Sequence, residues 1–300
     1  MDISAKFNPF TLPHDRGMEP YFAELDNFKA LGFSVVDCVF SDGDVPGSPL
    51  LREDWRDWAE QLAEGSRKRG IRHLQCHAPY YNFTPVAGGK RPATEMLIRR
   101  SIEAAGILGA KWIVMHPATD YSTGDMERSF QANLRYYAPY VELGERHGVG
   151  IAIENMADLF AKKDFPGTGC DRCYGALPEE LCALADALAS PYAGICWDFG
   201  HANLMAHDQP ACLRAMGSRV KATHVHDNFG MWDEHLAPFF GTVAWGPAMA
   251  ALGEIGYDGA LYLELNRVPL WLPMEVRNAQ WQYGFAAGKQ LLAMAGKGKR

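Results

Sequence analysis

No apolar run in this chain of 300 residues is long enough to cross a bilayer. The opening residues, MDISAKFNPFTLPHD, carry charges where a secretory leader needs an apolar stretch. There is no excess of positive charge either. Lys and Arg number 29 against 36 Asp and Glu, a formal net charge of -7, which argues against a surface built to hold a nucleic-acid backbone. The CxxC pair Cys170 and Cys173 has no second pair at a spacing that would complete a zinc ribbon. The seven cysteines, an odd number scattered along a long chain, read as reduced thiols of a cytoplasmic protein. No G-x-G-x-x-G follows a strand-like run, which counts against a dinucleotide cofactor. No linker or internal repeat divides the chain, so one domain is expected over residues 1–296, followed by a mobile basic tail at 297–300.

Hydrophobic residues make up 48% of the chain and charged residues 22%, enough for a large core. Eight short apolar runs recur: SAKFNPF, FSVVDCVF, IRHLQCHAP, WIVMHPA, GIAIENM, GICWDFGH, KATHVHDN and ALYLELN. Several are apolar at consecutive positions, as strands covered on both faces must be. Amphipathic stretches separate them, with helix signals such as Pro92 at one start and Gly32, Gly70 and Gly109 at ends. This alternation predicts an α/β fold, a single (β/α)8 TIM barrel. Two connections are longer, Asp158 to Leu177 and Asn228 to Val243, and both follow strands.

The polar residues fall at the ends of those runs. His77 ends the third, His116 the fourth, Glu154 the fifth and Asp198 the sixth, with His201 three residues on. The seventh carries His224, His226 and Asp227, and the eighth Glu264. Singly, each has a plainer use: Glu154 beside Asn155 suits a helix cap, and Asp198 a turn. In a barrel, however, all strand ends converge on one mouth, the usual place of an active site. Carboxylates crowded there would repel one another, and a divalent cation removes that penalty. Asp233-x-His235, in the loop after the seventh run, could add donors for further ions.

The ordered motifs IENM, WDFGH, H-x-H-D-N, D-x-H-L and L-E-L, spread between Phe33 and Asn266, resemble the xylose isomerase-like barrel superfamily. That group includes sugar and sugar-phosphate isomerases and epimerases, and also endonuclease IV. The resemblance to its ketose 3-epimerases implies one metal, most often Mn2+, on Glu154, Asp198, His224 and Glu264, with His226 as rival for the third place. It implies Glu154 and Glu264 as the catalytic acid–base pair and His201 as a catalytic residue touching substrate. The endonuclease branch uses three zinc ions, and its ligand pattern matches His77, His116, Glu154, Asp198, His201, His224, Asp233, His235 and Glu264. The sequence departs from the family after D-x-H, where a G-E-G often stands and APFFGTVAW is found here.

The function so implied is a divalent-metal-dependent isomerase or epimerase of a sugar or sugar phosphate, moving a proton through a metal-stabilised enediolate. The metal is expected to be Mn2+, with Mg2+, Co2+ or Zn2+ as alternatives. The rival readings are a zinc phosphodiesterase on abasic DNA and a metal-dependent lyase or dehydratase on a sugar derivative. The substrate-facing residues expected are Tyr80, His116, Asn155, Trp197, Asp227, Trp232 and Phe239, with Tyr81, Phe83 and Trp271 as further pocket aromatics. The partner is then a small carbohydrate rather than nucleic acid or membrane. Pairing of exposed barrel faces into a homodimer or tetramer stays open.

Overall fold

A computed structural model describes residues 1–122, 124–158, 170, 172–266 and 272–297. Arg267, Trp271, residues 159–169 of the first long connection and residues 298–300 of the tail lie outside the described residues. Eight parallel strands follow one another around a closed barrel, β8 pairing back to β1. They are β1 (Asp2–Phe7), β2 (Val35–Val39), β3 (Arg72–His77), β4 (Trp112–Met115), β5 (Gly150–Glu154), β6 (Ala193–Asp198), β7 (Val220–Val225) and β8 (Ala260–Leu263).

The helices form where apolar residues recur at helical spacing: α1 (Glu19–Ala30), α2 (Trp55–Lys68), α3 (Pro92–Leu108), α4 (Met126–His147), α5 (Pro178–Leu188), α6 (Phe199–Leu204), α7 (Gln209–Met216), α8 (Trp245–Glu254) and α9 (Met274–Lys297). The signals foreseen at α3 act as expected, Pro92 at its first turn and Gly109 capping it with φ 78°. The short α6 is an addition. The run GICWDFGH reads as strand to its end, but Asp198 stops it by accepting the His201 N–H at 2.7 Å and capping a new helix.

Most of the core lies between barrel and helices, where Leu25, Phe28, Leu62, Ile102, Leu184, Leu213 and Leu252 are essentially buried. Each such side chain contributes about 1.5–3 kcal/mol by leaving water. Inside the barrel, half of the ring is lined by small side chains, Val114, Ala152, Cys196 and Ala222, which pack on one another. No described helix is long and apolar enough to cross a membrane.

Candidate functional site

Side chains alternate along each strand, so residues two apart share the barrel interior. Most of the interior positions that open onto the C-terminal mouth are polar, Val39 of β2 being an exception. His77, Glu154 and Asp198 are the last residues of β3, β5 and β6, His224 is the last but one of β7, and His116 and Glu264 follow β4 and β8 directly. Four carboxylates and six histidines therefore meet in one volume once Asp233 and His235 fold in from the loop after β7.

At the centre is the His224 ring. Its Nδ1 lies 3.1 Å from Glu154 Oε1, 3.2 Å from Glu264 Oε2 and 3.7 Å from Asp198 Oδ2. On one side, His116 and His77 place Nε2 atoms 3.0 and 3.4 Å from Glu154 Oε2. On the other, Asp233 Oδ2 sits 2.8 Å from His235 Nε2 and 3.8 Å from His201 Nε2. Donor atoms within 4.8 Å of one another form overlapping groups: His77, His116 and Glu154; Glu154, Asp198, His224 and Glu264; and sets joining Asp198, His201 and His226, and His226, Asp233 and His235.

Two observations test whether these residues fit a divalent cation. Asp233 Oδ1 is a buried carboxylate oxygen without a hydrogen-bond partner among the described residues, and Glu154 Oε2 is buried with only the His116 and His77 Nε2 atoms beside it, which is costly unless a positive group satisfies them. Second, the rings are oriented as ligands are. His77, His201 and His235 each direct Nδ1 at a backbone carbonyl, of Ala78, Asn155 and Glu264, at 2.8, 2.8 and 3.0 Å. A carbonyl only accepts, so Nδ1 carries the proton and a neutral ring offers Nε2 as a lone pair. The residues fit.

Of the H-x-H pair, His224 joins Glu154, Asp198 and Glu264. His226 stands behind Asp198, its Nε2 3.1 Å from both carboxylate oxygens. Gly200 is what lets it stand there: a Cβ at that position would lie 1.9 Å from the His226 ring.

Burial alone would raise the Glu154 carboxyl, but the His224 and His116 rings hold it well below the usual range. Burial opposes ionisation of Asp198 too, and His201 and His226 bring it down to about 2. The reverse holds for the rings. Burial works against charge on His201, yet Asp198 and Asp233 raise it well above the usual imidazole range. In His224 burial is outweighed by Cys196, Glu154 and Glu264. Raised histidines stabilise the metal-free fold fully below their unfolded pKa, and that contribution fades as pH climbs through the folded pKa. A cation that displaces these protons therefore binds more tightly as pH rises. Calorimetric titration over about pH 6 to 8 should show Kd falling with pH and heats that depend on the buffer's ionisation enthalpy. A pH-independent Kd without proton release would contradict this charge balance.

A cavity of about 680 Å³ opens over the cluster, bounded by Lys6, Ser41, Tyr80, Tyr81, Asn82 and Arg91 as well as the site residues. That size suits a small ligand. Tyr80 and His116 face it with rings stacked 4.3 Å apart. Other residues expected at the substrate are placed elsewhere. Trp197 is fully buried on the outer side of the barrel, since it alternates with Asp198. Asn155 spans β5 and β6, its amide accepting the Asp198 N–H at 2.6 Å and donating to the Asp198 carbonyl at 3.0 Å. Asp227 is consumed in pinning the aromatic loop: it accepts the N–H groups of Asn228, Phe239 and Val243 and the Trp245 indole. Trp232 and Phe239 are 63% and 41% exposed and do not bound the cavity. Phe83 is buried, stacked on Tyr136. The pattern of strand ends missed Lys6 and Asn266. Lys6 donates to the Asn266 side chain, whose amide lies 3.4 Å from Glu264 Oε1. The parity of β1 was the available signal, because Lys6 shares a face with Ser4.

A family profile described as xylose isomerase-like TIM barrel matches residues 25–290. An uncharacterized protein of Methanocaldococcus jannaschii, MJ1311, is 30% identical over 205 residues, which is 65% of this chain and 65% of that protein. A probable endonuclease 4 of Bacillus licheniformis is 25% identical over 214 residues, 65% of this chain and 63% of that one. The chain thus spans somewhat under two thirds of the length of these relatives. Among solved structures, a D-tagatose 3-epimerase-like protein superposes with a TM-score of 0.73 at 22% identity, covering 100% of both chains. The IOLI protein with a bound zinc atom superposes at 0.69 and 18% identity, covering 99% of each chain. These structural likenesses show the fold. The profile runs unbroken from α1, before the second strand, into the last helix, and by that match the chain belongs to the xylose isomerase-like TIM barrel family.

Proposed function

We propose that this protein is a divalent-metal-dependent isomerase or epimerase acting on a sugar or sugar phosphate. The observation that carries the reading is the pair Glu154 and Glu264, whose carboxylates both reach His224 Nδ1, at 3.1 and 3.2 Å, beneath an open cavity. Glu154, Asp198, His224 and Glu264 would hold the ion, and three carboxylates with one imidazole suit Mn2+. When bound, such an ion polarises a carbonyl and neutralises charge developing on its oxygen. One of the two glutamates then removes a proton from the adjacent carbon, and the other delivers one from the opposite side. His201, oriented by the Asn155 carbonyl, presents Nε2 to a substrate hydroxyl. Tyr80 stacked on His116 walls the cavity and keeps water from the exposed carbon.

Proton transfer through a glutamate exchanges with solvent. Ketoses and their phosphates, incubated with the Mn2+-loaded protein in D2O, should give an epimer or aldose carrying deuterium at the carbon that reacts. No conversion of any of them would sink the proposal.

One observation favours a second reading, a zinc phosphodiesterase. Glu154 belongs to two donor groups, and the imidazole-rich pair His77 and His116 suits zinc. Neighbouring ions that share a carboxylate can stabilise the attacking and leaving oxygens of a phosphoester. The isomerase reading expects activity with one ion per chain and none on an abasic DNA duplex. Three tightly held zinc ions and strand cleavage would reverse the choice.

A further inference from the structure

A carboxylate lies inside the barrel below the site, where the chemistry above makes no use of it. Asp37 of β2 is 1% exposed. The alternation that turns Val39 towards the cavity turns Asp37 into the interior one layer lower. Its neighbours around the ring define that layer. Ser4 Oγ donates to Asp37 Oδ1 at 2.5 Å. Ser4 is in register with Tyr262, and Tyr262 with His224, the last two rings being 5.1 Å apart. Gln75 sits in the same layer and donates across the barrel to the Thr223 carbonyl at 3.3 Å.

Two buried polar atoms in this region have no hydrogen-bond partner among the described residues: Asp37 Oδ2 and His224 Nε2. His77, His201 and His235 each have their second nitrogen fixed by a backbone carbonyl. His224, the ring at the centre of the cluster, has no backbone carbonyl of this kind among the described residues; the Cys196 thiol lies beside it. An imidazole that holds a cation through one nitrogen is as a rule oriented by an acceptor on the other. The two groups also sense each other. Burial pushes the Asp37 carboxyl well above its usual range, while the Ser4 hydroxyl, the His224 ring and the Gln75 amide pull it back.

The geometry points to Asp37 as the positioning residue of His224, its second oxygen receiving the Nε2–H through one buried water. That link sets the tautomer and the ring plane with which Nδ1 meets the ion. A polar recess with at least two partners is where a buried water is held. The inference rests on the metal reading proposed above.

The test titrates Mn2+ alone, and Zn2+ in parallel, into the metal-free full-length protein and its variants Asp37→Leu and Asp37→Asn, and melts each with and without the ion. Asp37→Leu should bind about 10- to 100-fold more weakly. Asp37→Asn keeps an acceptor and should lose less. The metal-free Asp37→Asn variant should melt close to wild type, because its amide oxygen still accepts from the Ser4 hydroxyl. Equal affinity in wild type and Asp37→Leu would overturn the inference. So would variants whose metal-free melting falls while the stabilisation added by the ion stays unchanged, for that is a purely structural role. A wild-type protein that takes up neither ion would remove the metal reading itself, and this inference with it.

Discussion

Glu154→Gln should lower kcat/KM by about three orders of magnitude or more, at the strong end of what a general base contributes. The size follows from how many parts of the site converge on this one side chain. Glu154 is 1% exposed, and His77, His116, His201 and His224 all approach it within 3.4 Å. A glutamine of the same shape cannot take a proton from carbon, and its amide turns hydrogens towards nitrogens that need a negative charge. It also removes a donor from two overlapping groups, so ion retention should fall together with turnover. Glu264→Gln should abolish turnover as well while retaining more of the bound metal, because Glu264 belongs to one donor group and is 14% exposed. Steady-state rates at saturating metal, with ion content on the same samples, check both. Full activity in both variants would reject the acid–base assignment.

Gly200→Ala should cost about 1–3 kcal/mol of stability, the usual range for forcing atoms into a packed interior. The added methyl would sit 1.9, 2.3 and 2.5 Å from Cε1, Nδ1 and Nε2 of His226. That ring is fully buried and cannot swing into solvent. When it moves, Asp198 loses a partner at 3.1 Å and, with it, part of what holds its carboxylate towards His224. Denaturant unfolding of the metal-free variant reads the first effect, and weaker ion binding the second. Wild-type stability together with wild-type affinity would show that His226 does not support Asp198.

The repeating architecture was legible because two periodicities alternate along the chain and helix signals such as Pro92 and Gly109 punctuate them. So was the convergence of Glu154, Asp198, His224 and Glu264, since barrel closure brings all strand ends to one mouth. The choice between His224 and His226 was not. Two residues apart, both would face the same way on an ideal strand, but β7 ends at Val225 and the chain turns, leaving His226 behind Asp198. Trp197 and Lys6 could have been assigned from strand parity. Trp197 neighbours Asp198 and must face the other way, whereas Lys6 lies two residues after the inward Ser4. Asp227, Trp232 and Phe239 lie beyond any period. The backbone N–H groups that occupy Asp227 come from residues 228 to 243, and no pattern in that loop announces its path.

One divalent cation is proposed to be shared by side chains at four strand ends. Anomalous diffraction from crystals of the Mn2+-loaded protein, recorded near the manganese edge, tests it most directly. The expected result is a peak bonded to Glu154, Asp198, His224 and Glu264 at about 2.0–2.3 Å, the range for oxygen and nitrogen ligands of such ions. A well-ordered, metal-saturated crystal with no peak among these four side chains would rule out the shared ion.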